Sequence, residues 1–176
     1  MNVQEMRQAY MPERIRLLLV AEAPPESTDR FFYNPVVTSH DSLFLETSKV
    51  LLSEVWDGRS AKQVRGMKAD LLARLRAEGV YLVDAVDERL PQGMSDARCA
   101  AILREHSAAK VAEIVRLLDE RGDESALVVL IKGTVFDALA RPLRAAGVRV
   151  PQDASVPFPG SGQQARFRES LSGLLA

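Results

Sequence analysis

An almost unbroken apolar run, residues 15–21 with the sequence IRLLLVA, constrains the fold of this chain more than any other feature. A run of this length without polar alternation predicts a strand buried on both faces, as in a parallel sheet. Such sheets bind their ligands just beyond the carboxyl ends of the strands. The run stops at an acidic loop stiffened by two prolines, Glu22-Ala23-Pro24-Pro25-Glu26-Ser27. The sequence therefore places the carboxylate of Glu22 where a functional group is expected.

Three adjacent aromatic residues follow this loop closely, namely Phe31, Phe32 and Tyr33. Rings beside a rigid carboxylate suit a flat, polar ligand on which one of them would stack. Most aromatic residues in proteins fill the core instead. The sequence leaves both interpretations open, and it does not indicate which of the three rings would face a ligand.

Composition narrows the class of protein. The 176 residues are 47% hydrophobic and 27% charged, which is typical of a globular protein, and no linker divides them, so we expect one domain over residues 1–176. The net charge of −1 counts against the tight non-specific binding to DNA that strongly basic proteins show.

The cysteine and histidine content argues against a metal centre. One cysteine, Cys99, and two histidines are too few for a cysteine-rich zinc site, an iron–sulfur cluster or a histidine-rich metal site. We therefore expect no metal and no cofactor. The sequence has no signal-peptide core and no apolar run near the roughly 20 residues of a membrane helix. We expect a cytoplasmic protein without membrane contact and without an obligate protein partner.

Segments typical of strands and of helices alternate along the chain. Besides 15–21, strands are predicted at 80–87 and 126–131, with short candidates at 148–150 and 155–156. Helices are predicted at 42–56, at 61–78, at 95–121, from the turn 132–134 to residue 146, and at 162–175. This alternation predicts an α/β fold, a three-layer α/β/α sandwich with a central, mostly parallel four-stranded sheet.

In such a fold the turns that follow the strands lie at one edge of the sheet. That edge would collect the Glu22 loop, the loop after Asp84, Lys132-Gly133-Thr134 and residues 157–162. Asp84 is a carboxylate inside an apolar run, so it requires either a structural partner or a ligand. At Lys132-Gly133-Thr134, capping of the next helix by Thr134 is favoured over a functional role.

The segment Gly160-Ser161-Gly162, followed by Gln163, precedes the last predicted helix. Backbone N–H groups at a helix N-terminus attract anions. We interpret these residues as a candidate phosphate site. The alternative is a tight turn that simply requires glycine.

The first of these elements resembles the uracil-DNA glycosylase superfamily. Ala21-Glu22-Ala23-Pro24-Pro25 is similar to the G-E-A-P-G type loop that opens that family's site after a buried strand. An aromatic residue that stacks on the flipped base follows in the family, and it would fall among Phe31, Phe32 and Tyr33. In this chain Ala21 and Pro25 replace the two glycines of the loop.

Later segments resemble the family in the same order. Val80-Tyr81-Leu82-Val83-Asp84, followed by Arg89-Leu90-Pro91, is similar to the strand that ends in a base-reading asparagine, with Asp84 in its place. Residues 126–139 resemble the family's strand–glycine–helix segment. Phe158-Pro159-Gly160-Ser161 resembles its H-P-S loop, with Phe158 at the histidine position.

The resemblance implies an enzyme that flips a damaged or deaminated base out of DNA and hydrolyses its N-glycosidic bond. Glu22 would position the water. The substrate would be contacted by Ala23, by one of the three rings, by Asp84 and by Phe158, and its phosphate by Gly160, Ser161, Gly162 and Gln163. An acid in place of asparagine favours a base that presents hydrogen-bond donors.

Two alternatives remain beside this enzyme. One is a non-catalytic protein on the same fold that binds a nucleotide or nucleic acid, which the missing histidine and the near-neutral charge favour. The other is a metabolic enzyme that acts on a small nucleoside-like substrate and requires no DNA-binding face.

Overall fold

The computed structural model describes residues 2–91 and 93–176 and shows a mixed α/β fold with a small, open parallel sheet. Its strands are β1 (Ile15–Ala21), β2 (Val80–Asp84) and β3 (Gly122–Leu130). Both neighbours of the central strand β1 run parallel to it, and the strand order is β2-β1-β3. The prediction of a buried parallel strand at 15–21 is confirmed.

Helices make up most of the regular structure. Their bounds are α1 (Val3–Ala9), α2 (Ser42–Leu51), α3 (Ala61–Gly66), α4 (Lys68–Ala77), α5 (Asp96–Arg121), α6 (Gly133–Ala145) and α7 (Gln164–Leu175). Helix α1 was not predicted from the sequence. Within residues 2–91 and 93–176, every helix is too short or too polar to span a membrane.

Two predicted helices are each divided. The helix predicted at 42–56 ends at Leu51, and a separate 3-10 turn covers Ser53–Trp56. The helix predicted at 61–78 is interrupted at Met67, whose φ of −104° and ψ of 7° end α3 and begin α4.

The sheet has three strands in the part of the chain that the structure describes, so the prediction of four is wrong. The reason lies beside the end of β3. The side-chain amide of Gln152 accepts a hydrogen bond from Leu130 N–H and donates one to Leu130 C=O, both at 2.7 Å. This side chain takes the place of a strand, and Val156 adds a single parallel bridge to Ile131. Prolines at 151 and 157 lack the N–H groups that a longer ladder would require.

The core is centred on β1. Ile15, Leu18, Leu19 and Val20 are completely buried, because both neighbouring strands and the packed helices cover them. Helix α5 packs on α6, α2 packs on α7, and α4 packs on β2. These contacts hold the carboxyl ends of the three strands in fixed positions relative to one another.

Candidate functional site

The strand order identifies one preferred crevice at the edge where the strands end. The connection from β1 leads to β2 on one side, and β3 lies on the other side of β1. In open parallel sheets, ligands bind where the strand order reverses in this way. Here that position is the gap between β1 and β3, which Glu22 borders from β1 and Lys132 borders from β3.

The Glu22 carboxylate is held by both of its oxygens. Thr134 donates its hydroxyl hydrogen to Oε1 at 2.5 Å, and the Lys132 ammonium donates to Oε2 at 2.6 Å. The side chains of Glu22 and Lys132 are 18% and 34% exposed. The carboxylate is therefore fixed in orientation and still within reach of water. Asp96 lies further out, 3.8 Å from the same ammonium.

The backbone around Glu22 is also fixed. Val86 N–H donates to the Glu22 carbonyl at 3.1 Å, and Ala85 N–H donates to the Ala21 carbonyl at 2.7 Å. These bonds tie the loop after β1 to the loop after β2. Ala23, the predicted substrate contact, is half-buried beside Glu22, and Pro24 is buried.

The three predicted stacking residues lie in the core. Phe31, Phe32 and Tyr33 are 1%, 5% and 2% exposed, and both phenylalanine rings contact the Tyr33 ring edge to face. The Tyr33 hydroxyl accepts a hydrogen bond from Leu82 N–H at 2.6 Å and lies 3.2 Å from Leu82 C=O. This position lies on the outer side of β2, so Tyr33 satisfies backbone groups of an edge strand. In this structure the rings are packing residues that are covered from solvent.

Asp84 has the partner that its burial requires. It forms a buried ion pair with Arg7, which α1 places over the end of β2. Burial raises the pKa of Asp84 to about 6, and the charges of Arg7 and Lys110 oppose that rise. Arg7 also lies 3.6 Å from Asp87. Sequence reasoning missed Arg7; the signal was the need of a buried carboxylate for a cation.

Phe158 is on the exposed side of the same edge. Val156 accepts a hydrogen bond from Lys132 N–H at 2.7 Å, so the loop that carries Phe158 starts beside Lys132. Gly160 N–H donates a hydrogen bond to the Phe158 carbonyl at 2.8 Å. Phe158 is 44% exposed, unlike the rings at 31–33.

The predicted phosphate segment forms the turn into α7. A Cβ at Gly160 would lie 3.2 Å from the Phe158 ring, and Gly162 has a φ of 84°, so the turn favours glycine at both positions. Ser161 also has a positive φ of 49°. Gln163 is the residue that precedes α7, and Ser161 and Gly162 are exposed.

A pocket of about 330 Å³ lies on the β2 side of this edge. Its lining residues are Asn2, Val3, Gln4, Pro24, Asp87 and Arg89. Glu22, Phe32 and Asp84 do not line it. The pocket is therefore separate from the Glu22 carboxylate.

Within residues 2–91 and 93–176, no three histidine, cysteine, aspartate or glutamate side chains lie together as metal ligands do. Cys99 is buried, and burial raises the pKa of its thiol, with further contributions from the nearby charges of Glu22 and Asp96.

No protein-family model, curated protein or solved structure matches this chain.

Proposed function

We propose that this chain is a divergent member of the uracil-DNA glycosylase-like superfamily that hydrolyses the N-glycosidic bond of a damaged or deaminated base in DNA. The proposal includes the family's three-layer α/β/α architecture and a cytoplasmic location. The observation that carries it is the Glu22 carboxylate, oriented through both oxygens and 18% exposed at the crevice between β1 and β3.

The reaction requires a water held against the sugar. Glu22 accepts a hydrogen bond from this water and takes its proton as the water oxygen bonds to C1′. The bond between C1′ and the base nitrogen breaks, and its electron pair leaves with the base. The leaving nitrogen is protonated from solvent. Because Lys132 and Thr134 already fix the carboxylate, no rearrangement of Glu22 precedes the attack.

Phe158 supplies the ring for the base in this proposal. It is the exposed aromatic residue on the loop that starts beside Lys132, whereas Phe31, Phe32 and Tyr33 are buried. In the turn of Gly160, Ser161, Gly162 and Gln163, the N–H groups of Gly160 and Gln163 donate within the turn, to the carbonyls of Phe158 and Gly160. The exposed residues Ser161 and Gly162, together with the N-terminal end of α7, would therefore contact the adjacent phosphate. Asp84 would act indirectly, by fixing the loop after β2.

The experiment is release of free base from duplex and single-stranded oligonucleotides that carry uracil, hypoxanthine or xanthine. The same bases are supplied as mononucleosides to test the small-substrate alternative. Chromatography with mass detection measures free base, and fluorescence anisotropy measures oligonucleotide binding. The proposal expects base release from at least one oligonucleotide. Binding without release from any of them would contradict it.

A second candidate is a protein that binds a nucleotide or nucleic acid without hydrolysis. The ion pair of Lys132 with Glu22 favours it, because such a pair can fix two loops around a ligand without taking part in a reaction. This candidate predicts that oligonucleotides bind and that every glycosidic bond stays intact. Release from mononucleosides alone would instead indicate a small-molecule hydrolase.

A further inference from the structure

Lys132 has a backbone conformation that is unusual for any residue other than glycine. Its φ is 83° and its ψ is 145°, in a region that a Cβ makes unfavourable. Lys132 N–H donates to Val156, and its carbonyl accepts from Phe136 N–H at 3.1 Å. Strained conformations of this kind persist where the surroundings impose them, and they concentrate at functional sites.

The side chain explains why a lysine occupies a position that suits glycine. Its ammonium reaches Glu22 across the crevice at 2.6 Å. Thr134, two residues on, donates to the other Glu22 oxygen rather than capping α6, and the N-cap position itself makes no side-chain cap bond. The strained turn thus aims two donors at one carboxylate. The prediction that Thr134 caps the helix is therefore wrong, because its hydroxyl donates to Glu22 instead.

We infer that Lys132 and Thr134 are positioning residues for Glu22 in the proposed hydrolysis, and that the strain at Lys132 is retained because it places the ammonium on Oε2. This inference rests on the proposed function. Each donor occupies one lone pair on a different oxygen of Glu22, and each oxygen has a further lone pair that can accept from a water. Without them, Glu22 rotates among its side-chain conformers and the water is misplaced.

One pair of variants distinguishes the charge of Lys132 from its backbone strain. A second pair distinguishes the hydroxyl of Thr134 from the shape of its side chain. Lys132→Met and Lys132→Gly both remove the ammonium, but only glycine tolerates the backbone conformation. Thr134→Val keeps the shape and removes the hydroxyl, whereas Thr134→Ser keeps the hydroxyl. We expect kcat for base release to fall about tenfold to a hundredfold in Lys132→Met, Lys132→Gly and Thr134→Val, with little change in KM. Thr134→Ser should keep most of the wild-type kcat, because its hydroxyl can still donate to Glu22.

Urea unfolding of the lysine pair tests the strain itself. We expect Lys132→Gly to have a higher unfolding midpoint than Lys132→Met, although both lose activity equally. A midpoint in Lys132→Gly at or below that of Lys132→Met would contradict strain at this position. In the activity assay, a rise in KM with unchanged kcat would contradict a positioning role.

The chemical reactivity of the Glu22 carboxylate measures the two contacts independently of activity. Glu22 is coupled to an amine by a water-soluble carbodiimide, and peptide mass spectrometry measures the rate, with exposed Glu26 of the same loop as internal reference. We expect Glu22 to react several-fold faster in Lys132→Met and Thr134→Val than in the wild type, with Glu26 unchanged. Equal Glu22 rates in all three proteins would overturn the inference. If the rates differ as expected but the wild type releases no base, the positioning contacts stand and the proposed reaction fails.

Discussion

Arg7 and Asp84, 77 positions apart in the chain, form a buried ion pair that joins α1 to the carboxyl end of β2. The two side chains are 6% and 3% exposed. The pair fixes the loop after β2, and that loop is in turn bonded to the backbone of Glu22. A contact outside the crevice thus contributes to the position of the candidate catalytic carboxylate.

We expect Arg7→Met to lower the free energy of unfolding by roughly 3–5 kcal/mol, because it leaves a buried carboxylate without its cation. The loss should be smaller at pH 5 than at pH 8, since Asp84 can then be protonated. Urea unfolding followed by circular dichroism measures both values. Arg74→Met is the control, because Arg74 is 46% exposed and pairs with an exposed glutamate. An equal loss in both variants would contradict the account of the pair.

The raised pKa of Asp84 makes stability depend on pH with a defined sign. The folded protein holds a proton on Asp84 up to a pH of about 6, whereas the unfolded chain releases it near its ordinary value of 3.8. The folded state therefore binds more protons between these values, and its stability falls as pH rises from 4 to 6. The pKa difference corresponds to about 3 kcal/mol.

The measurement is the difference in unfolding free energy between the wild type and Asp84→Asn at several pH values. We expect the wild type to lose stability relative to the variant as pH rises through this window. Above pH 7 the difference should be constant. A difference that does not change between pH 4 and pH 7 would show that Asp84 has the same pKa in both states.

Tyr33→Phe tests the hydroxyl that pairs with the edge of β2. We expect a loss of about 1–3 kcal/mol in unfolding free energy, because the Leu82 N–H loses its acceptor in a buried position. Tyr10→Phe is the matched control, since that ring stacks on Tyr33 but is partly exposed. Thermal and urea unfolding of the two variants provide the comparison. Equal stability of Tyr33→Phe and the wild type would contradict the role of the hydroxyl.

Sequence predicts the buried parts of the strands well, because those residues are apolar on both faces. It misplaces the start of β3, which begins at Gly122 rather than Ala126, since Asp123, Glu124 and Ser125 are exposed and polar. It misses α1 for a similar reason: the buried residues of that helix are Met6 and Arg7, and an arginine gives no apolar signal.

The site is predictable to the level of topology and no further. Parallel strands bring the loops of Glu22 and Lys132 to one edge, which the alternation of elements indicates. Their direct contact spans 110 positions and depends on the positive φ of Lys132, and neither is encoded in a local pattern. The burial of Phe31, Phe32 and Tyr33 likewise depends on the packing of α2 and β2 around them, so the sequence left their role open.

The catalytic role of Glu22 is tested by comparing base release by the wild type, Glu22→Gln and Glu26→Gln under single-turnover conditions. Glu26 lies in the same loop and is exposed, so its variant controls for loss of loop charge. We expect Glu22→Gln to lower the rate at least about 100-fold while it still binds the oligonucleotide, and Glu26→Gln to keep the wild-type rate. Base release by Glu22→Gln at the wild-type rate would contradict this role.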